Sequence, residues 1–165
     1  MTLTGKSHKF GDDINTDYII SGRYKFKTLD MKELAQHIFE DIVPDFYSKL
    51  SPGDFIVAGN NFGCGSSREQ AVLALKNAQI SAIIAKSFAR IFYRNGINVG
   101  LILLETDTDS ISEEDILKIY LKKGIIINET KNISLPIKPI PEFFLDIIQE
   151  GGVINYLKKY GDFKV

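Results

Sequence analysis

The stretch FIVAGNNFGCGSSREQAVLALKNAQISAIIA, residues 55–85, decides the fold. Residues 55–58 form a short apolar run of the buried-strand kind. A glycine-rich loop follows, and over 66–77 Ala71, Leu73, Ala74 and Leu75 supply the apolar surface of a helix. Residues 80–85 read as a second buried strand. The pattern continues with a short helix over 87–93, closed by Arg94-Asn95-Gly96, and a third apolar strand over 98–104. Strand, helix, strand, helix, strand predicts parallel strands joined by crossover helices.

Outward from this unit the pattern changes. On the N-terminal side, residues 1–10 (MTLTGKSHKF) read as polar and loop-like, and 11–17 (GDDINTD) as a run of Asx-turn formers. YIISGRYKF begins with β-favouring residues and is interrupted at Gly22. Leu34, Ala35, Ile38 and Phe39 predict an amphipathic helix over 31–39, with Asp30 as its N-cap and Glu33 at capping-box spacing. Residues 41–50 read as irregular or a short helix, ended by Ser51-Pro52-Gly53. On the C-terminal side the reading is a short helix over 112–121, a hairpin of strands 125–128 and 133–137, a proline-marked turn, and helices over 142–149 and 153–159. The expected architecture is α/β, a mixed sheet with flanking helices, in one domain spanning 1–165.

Composition excludes several classes. The 165 residues are 44% hydrophobic and 25% charged, with a net charge of −1. That balance is ordinary for a soluble globular chain and gives no electrostatic case for nucleic acid or an anionic membrane. No apolar run is long enough to span a bilayer, and the N-terminus lacks the apolar core of a signal peptide. The expected location is cytoplasmic. Cys64 is the single cysteine, so neither a disulfide framework nor an iron–sulfur cluster held by this chain alone is expected. With His8 and His37 the only histidines, a zinc site or histidine proton shuttle has little material.

The loop GNNFGCGSSREQA, residues 59–71, is the richest in chemistry. Its glycines permit close approach to a ligand or positive φ, and a helix start favours anions. Arg68 adds a guanidinium suited to a carboxylate or phosphate. No lysine lies in the loop, which excludes a Walker A motif, and Arg68 stands where a dinucleotide fingerprint needs glycine or alanine. The residues describe a small-anion site with two hydroxyls and one guanidinium. They equally describe a tight strand-to-helix turn capped by Ser66, with Cys64 an inert thiol. Asp12, Asp13, Asn15, Thr16 and Asp17 lack EF-hand spacing and read as a side-chain-bonded turn. Phe88, Ile91 and Phe92 are expected in the core, and Arg90 and Arg94 on one helical face, toward a partner chain or the glycine-rich loop. The C-terminal KKYGDFKV reads as a solvated end.

Three blocks, GDDINTDYII, GNNFGCGSSREQA and AKSFARIFYRNGINVGL, resemble in order and spacing the small, swivelling β/β/α domain of the aconitase superfamily. The match is to its free-standing small subunits, those of isopropylmalate dehydratase and homoaconitase type. The resemblance covers roughly residues 5–160. It implies a hydro-lyase active only with a large subunit that carries a [4Fe–4S] cluster, this chain holding no cofactor or metal. By resemblance, Ser66 is the catalytic base, acting as alkoxide, Ser67 hydrogen-bonds the substrate, and Arg68 pairs with a substrate carboxylate. The reaction implied is dehydration and rehydration of a small hydroxy acid, first of all 3-isopropylmalate in leucine biosynthesis.

In this superfamily a specificity loop follows the Asp-rich turn, and here it reads SGRYKFKT, placing Arg23 and Phe26 toward substrate. Relatives that act on alkylmalates carry a small aliphatic residue where Phe26 stands; those that act on tricarboxylic acids carry arginine. Phe26 therefore predicts an alkyl-substituted malate, with methyl-substituted malates and, through Lys25 or Lys27, homoaconitate as alternatives. A non-catalytic anion- or RNA-binding module is the alternative of a different class.

Overall fold

The computed structural model describes residues 1–25, 27–28 and 30–163. In chain order the elements are β1 (Thr2–Lys9), α1 (Thr16–Ile19), α2 (Gly22–Lys25), α3 (Met31–Ala35), α4 (Phe46–Lys49), β2 (Phe55–Val57) and α5 (Glu69–Asn77). They continue with β3 (Ala82–Ala85), α6 (Arg90–Val99), β4 (Leu103–Glu105), β5 (Ile116–Tyr120), a 3₁₀ turn (Leu121–Lys123), β6 (Ile125–Asn128), β7 (Ile133–Pro136), α7 (Glu142–Gln149) and α8 (Val153–Tyr160).

One mixed sheet of seven strands runs β4-β3-β2-β1-β5-β6-β7. The β1–β4 half is parallel, and β1 turns antiparallel against β5, starting the hairpin arm. Alternation along the parallel strands feeds two cores. Ile56, Ile83 and Leu103 face Leu34, Leu75 and Phe92 of α3, α5 and α6. Phe55, Val57, Ala82 and Ile84 face the other way, onto Leu117, Ile119 and Ile126 of the antiparallel arm and Leu145 and Ile148 of α7. Burial on both faces is why these strands read as unbroken apolar runs. The mixed sheet with flanking helices is as the sequence predicts.

Several expectations are corrected. The N-terminal segment is not a loop but β1, pairing Ser7–Phe55 in parallel and Thr2–Tyr120 antiparallel. Its buried polar residues hid it: Ser7 Oγ donates to the carbonyl of Ser112 at 2.7 Å, and His8 Nε2 lies 2.9 Å from Asp54 Oδ2. Residues 112–120 are not helical, and only Leu121 begins a 3₁₀ turn. Asp115 accepts from the Ser112 amide at 2.8 Å in a turn, and Leu117 and Ile119 then alternate inward as strand β5. Tyr18 and Ile19 belong to helix α1, because Asn15 Oδ1 accepts from the Asp17 and Tyr18 amides at 2.8 and 3.0 Å.

Helix α3 is shorter than predicted, since Phe39 turns the chain with φ 56°, although Leu34, Ala35, Ile38 and Phe39 are all buried. Asp30 caps it, its Oδ1 accepting from Lys32 N at 2.8 Å. Helix α6 starts later than expected and runs through Asn95-Gly96 to Gly100, leaving β4 only Leu103–Glu105. Gly96 is there for close packing: a Cβ would lie 2.6 Å from Leu103 Cδ1. Ile91, expected in the core, is 55% exposed, while Phe92 is buried. At the C-terminal end Phe163 is not simply solvated; its ring meets those of Phe143 and Tyr156.

Candidate active site

The fold brings the three sequence blocks together. The Asp-rich turn grips the glycine-rich loop along its length. Asp12 Oδ1 accepts from the Asn60 amide at 2.5 Å, Gly63 N donates to Ile14 O at 2.7 Å, and Thr16 N donates to Cys64 O at 2.9 Å. Thr16 Oγ1 donates to Ser66 O at 2.8 Å. From the other side, Phe62 N donates to Ser87 O and Ala89 N to Phe62 O, at 3.0 and 2.9 Å. The loop is thus pinned between the Asp-rich turn and the segment leading into α6. Gly63, at φ 79°, cannot carry a side chain, because a Cβ would fall 2.1 Å from Phe92 Cγ.

Ser66 is not a helix cap. Helix α5 begins at Glu69, Arg68 occupies the N-cap position, and no side chain caps the helix. The two serines are therefore left exposed ahead of the helix. Ser66, Ser67, Arg68 and Thr16 form one wall of a cavity of about 180 Å³; Arg90, Ile91 and Asn95 of α6 form the other. Helix α6 also lacks a side-chain cap. Two helix N-termini with unfilled N–H groups therefore converge on the cavity and favour negative charge there.

Arg68 is half-buried, with Nη1 2.5 Å from Asp17 Oδ1. Nη1 is enclosed yet makes no hydrogen bond, so the pair is Coulombic and leaves donor capacity unspent. Sequence reasoning missed Asp17, Thr16 and Asn95 as neighbours of the serines; only the fold brings these distant segments together. Cys64 lies in the loop but not among the cavity-lining residues, and burial, then the Asp13 carboxylate, push its thiol above the ordinary value.

The remaining candidates lie elsewhere. The Arg23 guanidinium pairs with Asp41 and packs 4.9 Å from the centre of the Tyr24 ring. Tyr24 stacks on His37 at 3.8 Å, and the hydrogen bond from His37, then that from Tyr24, hold Glu40 below the usual carboxylate range. Arg23 thus belongs to a separate cluster and does not line the Ser66 cavity. Phe26 lies outside the described residues. His8 is buried between Asp54 and Glu113, so neither histidine lines the cavity. A larger cleft of about 620 Å³, lined by Lys86, Glu105 and Leu135, offers no comparable set of hydroxyls beside a guanidinium.

Among the described residues no cluster of histidine, cysteine and carboxylate side chains could hold a metal ion. With Cys64 the only thiol, the chain's own donors do not fit an iron–sulfur cluster. No helix among the described residues is long and apolar enough to cross a membrane.

A parallel sheet edged by an antiparallel arm, with a Ser-Ser-Arg loop at an uncapped helix start, defines a class. Residues 18–109 match the aconitase C-terminal domain family, and the chain belongs to it. Along its full length it is 59% identical to 3-isopropylmalate dehydratase small subunit 2 of Archaeoglobus fulgidus, with both chains fully covered. It is 50% identical to 3-isopropylmalate dehydratase small subunit 1 of Thermotoga maritima, over 98% of each chain. The crystal structure of a 3-isopropylmalate dehydratase from Methanocaldococcus jannaschii matches with a TM-score of 0.93 and 51% identity, over 98% of this chain and 96% of that one. The chain is a hydro-lyase small subunit, one component of an enzyme, and a small subunit implies a large one.

Proposed function

We propose that this chain supplies the proton-transfer and carboxylate-binding half of a 3-isopropylmalate dehydratase acting in leucine biosynthesis. One observation carries the reading: two exposed serine hydroxyls and a half-buried arginine share a cavity of about 180 Å³. That is well under the ~300 Å³ at which complete ligand sites begin, so a partner surface is needed to close it. The partner is a large subunit carrying a [4Fe–4S] cluster, which supplies Lewis acidity toward the substrate hydroxyl.

Ser66 Oγ, as alkoxide, takes the proton from the carbon beside the one that loses hydroxide, and returns a proton on rehydration. An alkoxide needs positive surroundings. Arg68 and the two uncapped helix starts provide them, and closure of the large subunit over the exposed serines strengthens them by excluding water. The Thr16 hydrogen bond to Ser66 O fixes the backbone from which the hydroxyl projects. Ser67 donates to the substrate, and the part of the Arg68 guanidinium that stays exposed beside the Asp17 pair meets a substrate carboxylate.

The test is reconstitution. The purified chain alone should show no dehydratase turnover, and anaerobic mixing with its cluster-loaded large subunit should restore it. Strong turnover of 3-isopropylmalate by the isolated chain would contradict the two-subunit reading.

A further inference from the structure

We propose that Arg90 is a second guanidinium of the substrate site, taking the second carboxylate of a dicarboxylate whose first carboxylate Arg68 takes. This rests on the hydro-lyase reading above.

Arg90 is the first residue of α6 and lines the same cavity as Ser66, Ser67 and Arg68, on the opposite wall. Among the described residues it makes no ion pair or hydrogen bond, whereas Arg23 pairs with Asp41 and Arg68 with Asp17. Its position runs against local electrostatics. A helix N-terminus disfavours a cation, the first turn of α6 holds no acidic residue, and Arg94 sits one turn on with the same charge. Arg90 also borders a neighbouring cleft that Arg94 lines with Phe88, Tyr93 and Glu105, but of the two arginines only Arg90 reaches the Ser66 cavity. Exposed arginine in such a place, without a counter-charge, marks a site whose anion comes from outside the fold.

The cavity has room for that charge. No carboxylate lines it, and Asp17 is already against Arg68. A dianion entering between the walls meets one guanidinium partly neutralised and one not neutralised at all. Both uncapped helix starts border the same space. Two arginines lining one small cavity match in number and charge the two carboxylates of a substituted malate.

The experiment uses the reconstituted two-subunit enzyme. Wild-type turnover of 3-isopropylmalate is measured first; its absence rejects the hydro-lyase reading, whatever Arg90 does. With turnover established, Arg90→Gln is assayed at saturating large subunit, with malate as competitive inhibitor. The expected result is a tenfold or larger rise in both KM and the malate inhibition constant, with kcat within threefold, and intermediate values for Arg90→Lys. The Arg90→Gln melting temperature should be no lower than wild type, because an unfavourable charge leaves the helix start. Unchanged KM and malate inhibition would overturn the proposal. A loss confined to the subunit dissociation constant would do the same, since it would assign Arg90 to docking. A lower melting temperature would show that the fold itself uses Arg90, and would also overturn it.

Discussion

Thr16 Oγ1 donates a 2.8 Å hydrogen bond to the carbonyl oxygen of Ser66, tying the first turn of α1 to the loop fifty residues away. Thr16 is 2% exposed, so the donor is held out of water, while its acceptor belongs to the exposed Ser66. Thr16→Val keeps the shape and removes the donor. Losing this part-buried bond should cost about 0.5–1.5 kcal/mol. At about 2–4 °C per kcal/mol for a chain of this size, the loss is readable by calorimetry. The reconstituted enzyme should lose kcat more than KM, and Thr16→Ser should recover most of both.

Gly63→Ala should be more damaging. The position combines φ 79° with a Cβ only 2.1 Å from Phe92 Cγ. Phe92 is buried and packs edge-on against Phe62 at 5.3 Å, so it has little freedom to yield. A cost above about 2 kcal/mol is expected from strain and overpacking together. Urea unfolding of the isolated chain measures it.

Asp115 sets part of the acid sensitivity. Burial alone would raise its pKa, but bonds from the Ser112 amide, Asn128 and Lys131 outweigh that and hold it below the ordinary 3.8. A depressed folded-state value contributes stability that is present above the unfolded value. That stability is lost as pH falls through the folded one. Wild-type stability should therefore decline below about pH 4. Asp115→Asn should be less stable at pH 7 and show a shallower decline there, as read from urea midpoints between pH 7 and pH 2.5. An unchanged slope would remove Asp115 from the account.

Substrate choice is expected to follow Phe26. A phenyl ring cannot pair with a distal carboxylate, and an unpaired buried charge is costly by several kcal/mol. The reconstituted enzyme should prefer 3-isopropylmalate or a methyl-substituted malate over homoaconitate, and Phe26→Arg should move it toward the tricarboxylic acid. The alkyl substrates should overlap, since one methylene is worth only ~1–3 kcal/mol. Side-by-side kcat/KM values decide it; homoaconitate ahead by tenfold would assign the choice to the lysines instead.

The parallel half of the sheet was legible because β2 and β3 are buried on both faces and leave a plain apolar signature. Strand β1 was not, because Ser7 and His8 are buried polar residues with partners far along the chain, which erases the alternation. Asn95-Gly96 looked like a helix stop, since the sequence does not reveal that Leu103 packs where a side chain would stand. In the loop, Ser66, Ser67 and Arg68 were legible as a block because their chemistry is contiguous. On the opposing wall Arg90 is in keeping with a basic helical face expected toward a partner chain or the glycine-rich loop, whereas Asn95 is not legible, since it joins the cavity only through the packing of α6 on the loop. Of the two readings of Ser66, the cap is the one the fold removes: serine followed by Glu69 has capping-box spacing, but the helix starts only at Glu69.

The most direct test of the account is the turnover of Ser66→Ala in complex with the cluster-loaded large subunit. A positioned base contributes about 10²–10⁴ in rate. The expected result is a fall in kcat of at least that order with KM within threefold, because the hydroxyl acts along the proton-transfer coordinate. Wild-type turnover by the Ser66→Ala complex would contradict the central claim and leave the hydroxyl with no part in the chemistry.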